Sequence, residues 1–303
     1  MIYEVSHRTI YHYASPVARS HHLVHLAPRQ VRHQTNLNHV LTIEPAPATR
    51  SDIIDYFGNP ASVLTIDSEH TALSFHSRSV IEVRPREAVF LAATSSWESV
   101  AARLHQKTQS YDLGVLQYAC LSPNTRPNAD IKAYTMESFG PNRPLLEAVS
   151  ELNSRIHADF AYDSTVTDVT TSVDEVFEMK SGVCQDFAHF ALTCLRSLDL
   201  PARYVSGYLL THPPEGQEKL LGADATHAWF SVWSPETGWI DFDPTNNIMP
   251  SDEHITIAYG RDFGDVSPIG GVLLGGDDHA VEVGVDVLPV TEGAMPGWAS
   301  AGE

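Results

Sequence analysis

Apolar and polar positions follow two rhythms along this chain. Through residues 1–90 the apolar positions come in short runs rich in β-branched and aromatic residues, at 3–13, 22–26, 38–43, 62–66 and 79–83. Such runs suit a pleated, half-buried strand. Turn signals separate them: Ser15-Pro16, Ala27-Pro28, Pro45-Ala46-Pro47 and Phe57-Gly58-Asn59-Pro60. Proline and glycine interrupt the ladder at these points. Short strands at this spacing predict a small N-terminal β-sandwich, residues 1–90.

Beyond it the period becomes helical. Ser96-Trp97-Glu98 offers a cap ahead of Val100, Ala101 and Leu104. Residues 106–143 carry Pro123, Pro127, Gly140 and Pro141 and read as irregular. Pro144 then suits a first helical position, followed by the stripe Leu145, Val149, Leu152 and Ile156. Residues 172–179 suggest another helix. A further one follows Gly182, its apolar face formed by Phe187, Ala188, Ala191, Cys194, Leu195 and Leu198, and Leu200-Pro201 ends it. The remainder returns to strands at 202–210, 225–233, 238–243 and 280–288. The second and third are joined through Ser234-Pro235-Glu236-Thr237 as a hairpin. The fold class is therefore α+β, with a second domain over 91–290 and a loose tail over 291–303.

Composition narrows the function more than the fold. With 303 residues, 43% hydrophobic and 19% charged, the chain has the make-up of a soluble globular protein. No apolar run is long enough to span a bilayer, and residues 1–7 lack the basic start and apolar block of a secretory leader. The net charge of −19 argues against nucleic acid and against an anionic membrane as partners. Three cysteines make no disulfide framework. Together these point to a cytoplasmic location, where a reactive thiol would persist.

One such thiol stands out. Cys184 falls in the first turn of the helix after Gly182. There the unpaired N–H groups and the positive end of the helix favour a thiolate. A buried structural cysteine is the competing explanation, since free cysteines are mostly buried. A nucleophile also needs a base and a group to orient that base, and the hairpin offers both. With a three-residue turn Ser234 faces Gly238 and Trp229 faces Asp243; one step tighter, His227 faces Asp243 directly. Either register leaves His227 and Asp243 on one face, within reach of each other. Asp241 has the same parity but lies one pair nearer the turn, so Asp243 is the preferred partner. His189, five residues after Cys184, is rotated away from the thiol and is a poor base.

Metal chemistry has little support. Cys184, His189 and His227 lack a fourth clear ligand. Ten of the sixteen histidines lie within the first 105 residues, without ligand spacing, and His21 and His22 would point to opposite faces of a strand. Surface or strand-pairing roles suit them better. No metal or organic cofactor is expected.

Several motifs resemble one family in order. Gly182-Val183-Cys184-Gln185-Asp186-Phe187-Ala188-His189, Pro201-Ala202-Arg203-Tyr204-Val205-Ser206-Gly207-Tyr208, His227-Ala228-Trp229, Gly238-Trp239 and Asp243-Pro244-Thr245 resemble the bacterial transglutaminase-like cysteine peptidases. Gly260-Arg261-Asp262-Phe263-Gly264-Asp265-Val266 and the N-terminal Asp55-Tyr56-Phe57-Gly58-Asn59 extend the likeness. The resemblance implies a papain-like α+β core with Cys184 as nucleophile, His227 as base and Asp243 as orienting acid. It further implies a peptide or protein amide as substrate and a thioester intermediate. Water as acceptor makes a peptidase or amidase; an amine makes a transglutaminase. A non-catalytic binding module on the same fold is the remaining alternative. One departure is Ser231, where the family often has an acidic residue. The polar stretch 211–224, just before His227, is expected to border the cleft.

Overall fold

The protein is described from a computed structural model, which places residues 1–105, 110–168, 170–211, 226–290 and 296–300. Its organising element is β1 (Ile2–Val24), a strand of 23 residues. With β2 (Gln34–Glu44), β3 (Thr49–Ile54), β4 (Pro60–Ile66) and β5 (His70–Val83) it builds the first sheet, in the order β2-β5-β1-β4-β3. The run expected to end at Ser15-Pro16 continues instead. Pro16, which cannot donate to a ladder, sits where β1 passes from β5 towards β4 and the register shifts between His12 and Val17. β3 was not foreseen because every one of its residues is exposed, so no buried face marks it.

A helical layer follows: α1 (Trp97–His105), α2 (Ser110–Leu116), α3 (Ala129–Met136), α4 (Leu145–Asp159), the short β6 (Ala161–Tyr162), α5 (Val173–Met179), β7 (Ser181–Gly182) and α6 (Cys184–Arg196). Thus the stretch 106–143, expected to be irregular, contains two helices. In α3 the Asn128 side chain accepts from the Ile131 N–H at 2.8 Å, a cap that holds a helix despite its weak periodicity. The second sheet has the order β10-β9-β8-β11, from β8 (Ala202–Leu209), β9 (Thr226–Ser234), β10 (Gly238–Phe242) and β11 (His254–Gly260).

The last two strands return to the start. β12 (Ile269–Gly275) pairs with Val17–Val24 of β1, and β13 (His279–Pro289) pairs with Tyr3–Tyr13. The boundary expected at residue 290 therefore does not coincide with a change of sheet: the chain leaves the first sheet after Val83 and rejoins it at Ile269. The two halves of β1 and their neighbours enclose Val17, Val24, Leu41, Ile43, Leu64, Ile66, Leu73 and Phe75, the interior of the sandwich.

A larger core joins the two units. Phe187, Ala188, Ala191 and Leu195 of α6 pack with Tyr204, Phe230 and Val232 of the second sheet, and Tyr3, Val5, Ile81, Val285 and Val287 of the first sheet belong to the same cluster. Each fully buried Phe or Leu contributes about 1.5–3 kcal/mol, so α6 is held mainly by packing. β11 is the outer strand of its sheet, and two side-chain amides from the first unit satisfy its free edge. Gln34 Nε2 donates to the Thr256 carbonyl (2.7 Å) while its Oε1 accepts from the Thr256 N–H (2.8 Å). Asn59 makes the same pair with Tyr259, both at 2.8 Å. Each amide imitates a neighbouring strand where an unpaired edge would be costly.

Candidate active site

The start of α6 is built by Asp186. Val183 precedes the helix in extended conformation, and the Asp186 carboxylate reaches back to accept from the Val183 N–H at 2.8 Å. It also accepts from Thr167 Oγ1 at 2.7 Å. This is the reach-back half of a capping box. It leaves no room at Gly182, where an added Cβ would lie 2.6 Å from Asp186 Oδ2. The Gly-Val-Cys-Gln-Asp sequence thus has a local physical reason. Burial pushes the Asp186 carboxyl up, opposed by the bonds from Val183 and Thr167.

These contacts leave Cys184 as the first residue of the helix, half-buried. It lines a cavity of about 220 Å³ with Tyr162, Val183, Gln185, Tyr204, Ser206 and His227, among others. His227 enters from the second position of β9. Its Nε2–H donates to Asp243 Oδ2 at 2.8 Å. Burial pulls the imidazole towards its neutral form, but hydrogen bonds to Asp243 and Cys184 outweigh it and raise the ring to about 10. Cys184 and His227 thus share one cavity, and the His227 ring links that cavity to the buried Asp243 carboxylate in one chain.

Asp243 is fully buried and held on both oxygens. Oδ1 accepts from the backbone N–H groups of Thr245 (2.9 Å) and Asn246 (3.2 Å). Oδ2 accepts from His227, from Asn246 Nδ2 at 2.7 Å and from His254 Nε2 at 3.1 Å. Burial raises this carboxyl, yet the bonds from His227, His254 and Asn246 hold it well below the usual carboxylate range. The rival Asp241 is committed elsewhere: Arg86 Nη1 donates to its Oδ2 at 2.5 Å and Trp229 Nε1 at 3.0 Å. The hairpin register is that of the three-residue turn, with Ser234 opposite Gly238 and Ser231 opposite Asp241. Gly207 matters because an added Cβ would strike the Ile255 carbonyl at 2.1 Å and the Trp229 ring at 2.5 Å. That ring lies beneath His227, with centroids 5.9 Å apart.

His189 takes no part in this chain. Its Nε2 accepts from the Phe263 N–H at 3.1 Å, and burial lowers its ring to about 4. Of the N-terminal histidines, His7, His22 and His70 are strand residues, one of the two roles expected, and with His25 they are buried and not superficial. Among the described residues the one group of three or more His, Cys, Asp or Glu side chains placed to share a cation is His227, Asp243 and His254. There Asp243 Oδ2 also accepts the Asn246 amide, an arrangement suited to N–H donors more than to an ion.

His254 and Asn246 were missed from the sequence. The run Ile255-Thr256-Ile257 was the available signal for a strand opening at His254. The stretch expected to border the cleft lies outside the described residues, apart from Thr211. Among the described residues no helix is long and apolar enough to cross a membrane.

This fold, with a cysteine opening a helix beside a sheet that carries histidine and aspartate, defines a transglutaminase-like protein. Residues 132–244 match the transglutaminase-like superfamily, and residues 3–82 match the bacterial transglutaminase-like N-terminal region. The chain belongs to the bacterial transglutaminase-like family of that superfamily. It is 40% identical over 301 residues to an uncharacterized protein of Mycobacterium tuberculosis, covering 97% of this chain and 94% of that one. A protein-glutamine gamma-glutamyltransferase of Pseudomonas aeruginosa is 36% identical over 99 residues, 31% of this chain and 14% of the relative. In three dimensions the chain is similar to a candidate cysteine protease from Cytophaga hutchinsonii. The TM-score is 0.73, with 19% identity and coverage of 96% and 92% of the two chains.

Proposed function

We propose that this protein is a thiol-dependent acyl-transfer enzyme acting on amide bonds of peptides or proteins, with hydrolysis as its main outcome. The observation that carries the reading is that Cys184 and His227 line one cavity, with His227 bonded to the buried Asp243 at 2.8 Å. Cys184 and His227 start as a thiolate–imidazolium pair, and Sγ attacks the amide carbonyl. The developing oxyanion meets backbone N–H groups at the start of α6, including that of Cys184. His227 passes the proton to the departing amine, and a thioester remains on Cys184. An incoming water loses its proton to His227 and attacks the thioester. The acid is released, and the thiolate–imidazolium pair is restored. Asp243 keeps the imidazole aimed throughout and stabilises its cationic form.

The P. aeruginosa relative favours a second outcome, since its name describes transfer of a γ-glutamyl group from a protein glutamine. A primary amine attacking the same thioester would give an isopeptide bond by the same proton transfers. The two outcomes separate when a glutamine-containing peptide is incubated with a primary amine and the products are weighed by mass spectrometry. Free acid is the expected product. Amine adduct as the main product at modest amine concentration would replace hydrolysis by crosslinking. Neither product, with Cys184→Ala indistinguishable from wild type on a panel of peptides and activated esters, would favour the binding-module alternative.

A further inference from the structure

His254 is a third ring on the same carboxylate. Resting on the acyl-transfer reading above, we propose that His254 is a positioning residue for the reaction: a neutral imidazole whose Nε2–H fixes the Asp243 oxygen that His227 uses.

The geometry supports this in three ways. First, the tautomer is set by its surroundings. His254 is fully buried, with Nε2 3.1 Å from Asp243 Oδ2, while Nδ1 has no hydrogen-bond partner among the described residues. A buried N–H without an acceptor costs more than a bare ring nitrogen that merely goes unused, so the single proton belongs on Nε2. Second, burial favours the neutral ring, and although Asp243 pulls the other way, His227 and Arg86 oppose a second positive charge. Asp243 is already matched by the protonated His227, whose ring centroid is 5.9 Å away. A neutral donor organises the carboxylate without cancelling the charge that His227 needs. Third, the ring is not free to drift. It meets Trp229 edge-on at 5.2 Å and 86°, and it opens β11, the strand bolted to the first sheet through Gln34 and Asn59. The first sheet therefore bears on the chemistry through β11 and His254, without contributing a residue to the cavity.

The test is the rate at which the protein is acylated by p-nitrophenyl acetate, read from the nitrophenolate burst across pH, with Cys184→Ala as the blank. His254→Leu removes the donor and should slow acylation about 10–100-fold, the worth of one hydrogen bond to a charged group. The acid limb of its profile should move to higher pH, because Asp243 with one donor fewer takes a proton more readily. His254→Gln, whose amide can present an N–H at the same place, should stay within about threefold of wild type with an unmoved limb. If His254→Leu does not fold, His254→Asn replaces it, since its shorter amide falls short of Asp243. Acylation of the donor-less variant at the wild-type rate, or a Gln variant as slow as Leu, would overturn the proposal. Equal nitrophenolate release by wild type and Cys184→Ala would instead defeat the acyl-transfer reading, and this proposal with it.

Discussion

His22 in the first sheet and His227 in the second are similarly hidden, 5% and 9% exposed. Their rings nevertheless move in opposite directions. Burial lowers His22 to about 4, while His227 stands at about 10. His7, bonded to the Tyr208 and Thr9 hydroxyls, also falls to about 4. Hydroxyls and aromatic rings do not offset the loss of water around an imidazolium; a buried carboxylate can. His254 shows the limit of that rule. It touches the same carboxylate as His227 but remains lowered, because burial dominates and His227 already faces Asp243. His7 and His22 serve the first sheet as neutral core residues, whereas the second separates one cationic ring from one neutral ring on a single carboxylate.

Breaking the carboxylate should collapse this contrast. Asp243→Asn should reduce acylation of Cys184 by about a thousandfold, because the amide neither stabilises the imidazolium nor fixes its tautomer. The check is the p-nitrophenyl acetate burst, with circular dichroism to show that the fold persists. Asp241→Asn should behave differently although it lies two residues away. It leaves Arg86 partly buried beside a neutral group, so the expected loss is about 3–5 kcal/mol of stability in a denaturant titration. The folded fraction should acylate within a few-fold of wild type. Similar kinetic defects in both variants would erase the distinction between the two aspartates.

The first sheet offers a weaker test through pH. His22 has a folded value below its unfolded one, so its contribution is present above pH 6.5 and lost as pH falls towards about 4. His22→Leu should shrink the stability loss over that window by about 2 kcal/mol in urea titrations at several pH values. His227 has the opposite sign: its contribution is present below pH 6.5 and fades as pH rises through about 10. Asp243, lowered, contributes above the ordinary carboxylate range and loses that contribution as pH falls. An unchanged acid profile in His22→Leu would show that burial does not govern that ring. The smallest effect is expected at the bolted edge. Gln34→Ala should cost about 1 kcal/mol by thermal unfolding, since the Thr256 N–H loses its partner while the carbonyl keeps the Arg29 N–H at 3.4 Å.

Much of the site was legible because its parts are local. The Gly182–Cys184 spacing marks a helix start, and the three-residue turn after Ser234 sets the register that puts His227 and Asp243 on one face. What escaped depends on contacts distant in sequence. Nothing near Tyr3 announces that it will pair with Pro289, and nothing near His254 announces Asp243. β3 has no buried face to betray it, and α3 rests on the Asn128 cap more than on an apolar stripe. The strand-pairing role expected for the N-terminal histidines holds for His7, His22 and His70, but their burial was not legible because alternation alone does not say which face of a twisted, shared strand becomes the interior.

The most direct measurement is the rate of iodoacetamide labelling at each cysteine, resolved by mass spectrometry as pH is varied. Cys120 is exposed, and burial pushes the Cys194 thiol up to about 12, so both serve as internal references. Labelling of Cys184 should be the fastest of the three and persist well below neutral pH, with that advantage lost in His227→Ala. Equal, slow labelling of all three cysteines, or an advantage at Cys184 that survives the loss of His227, would contradict the account.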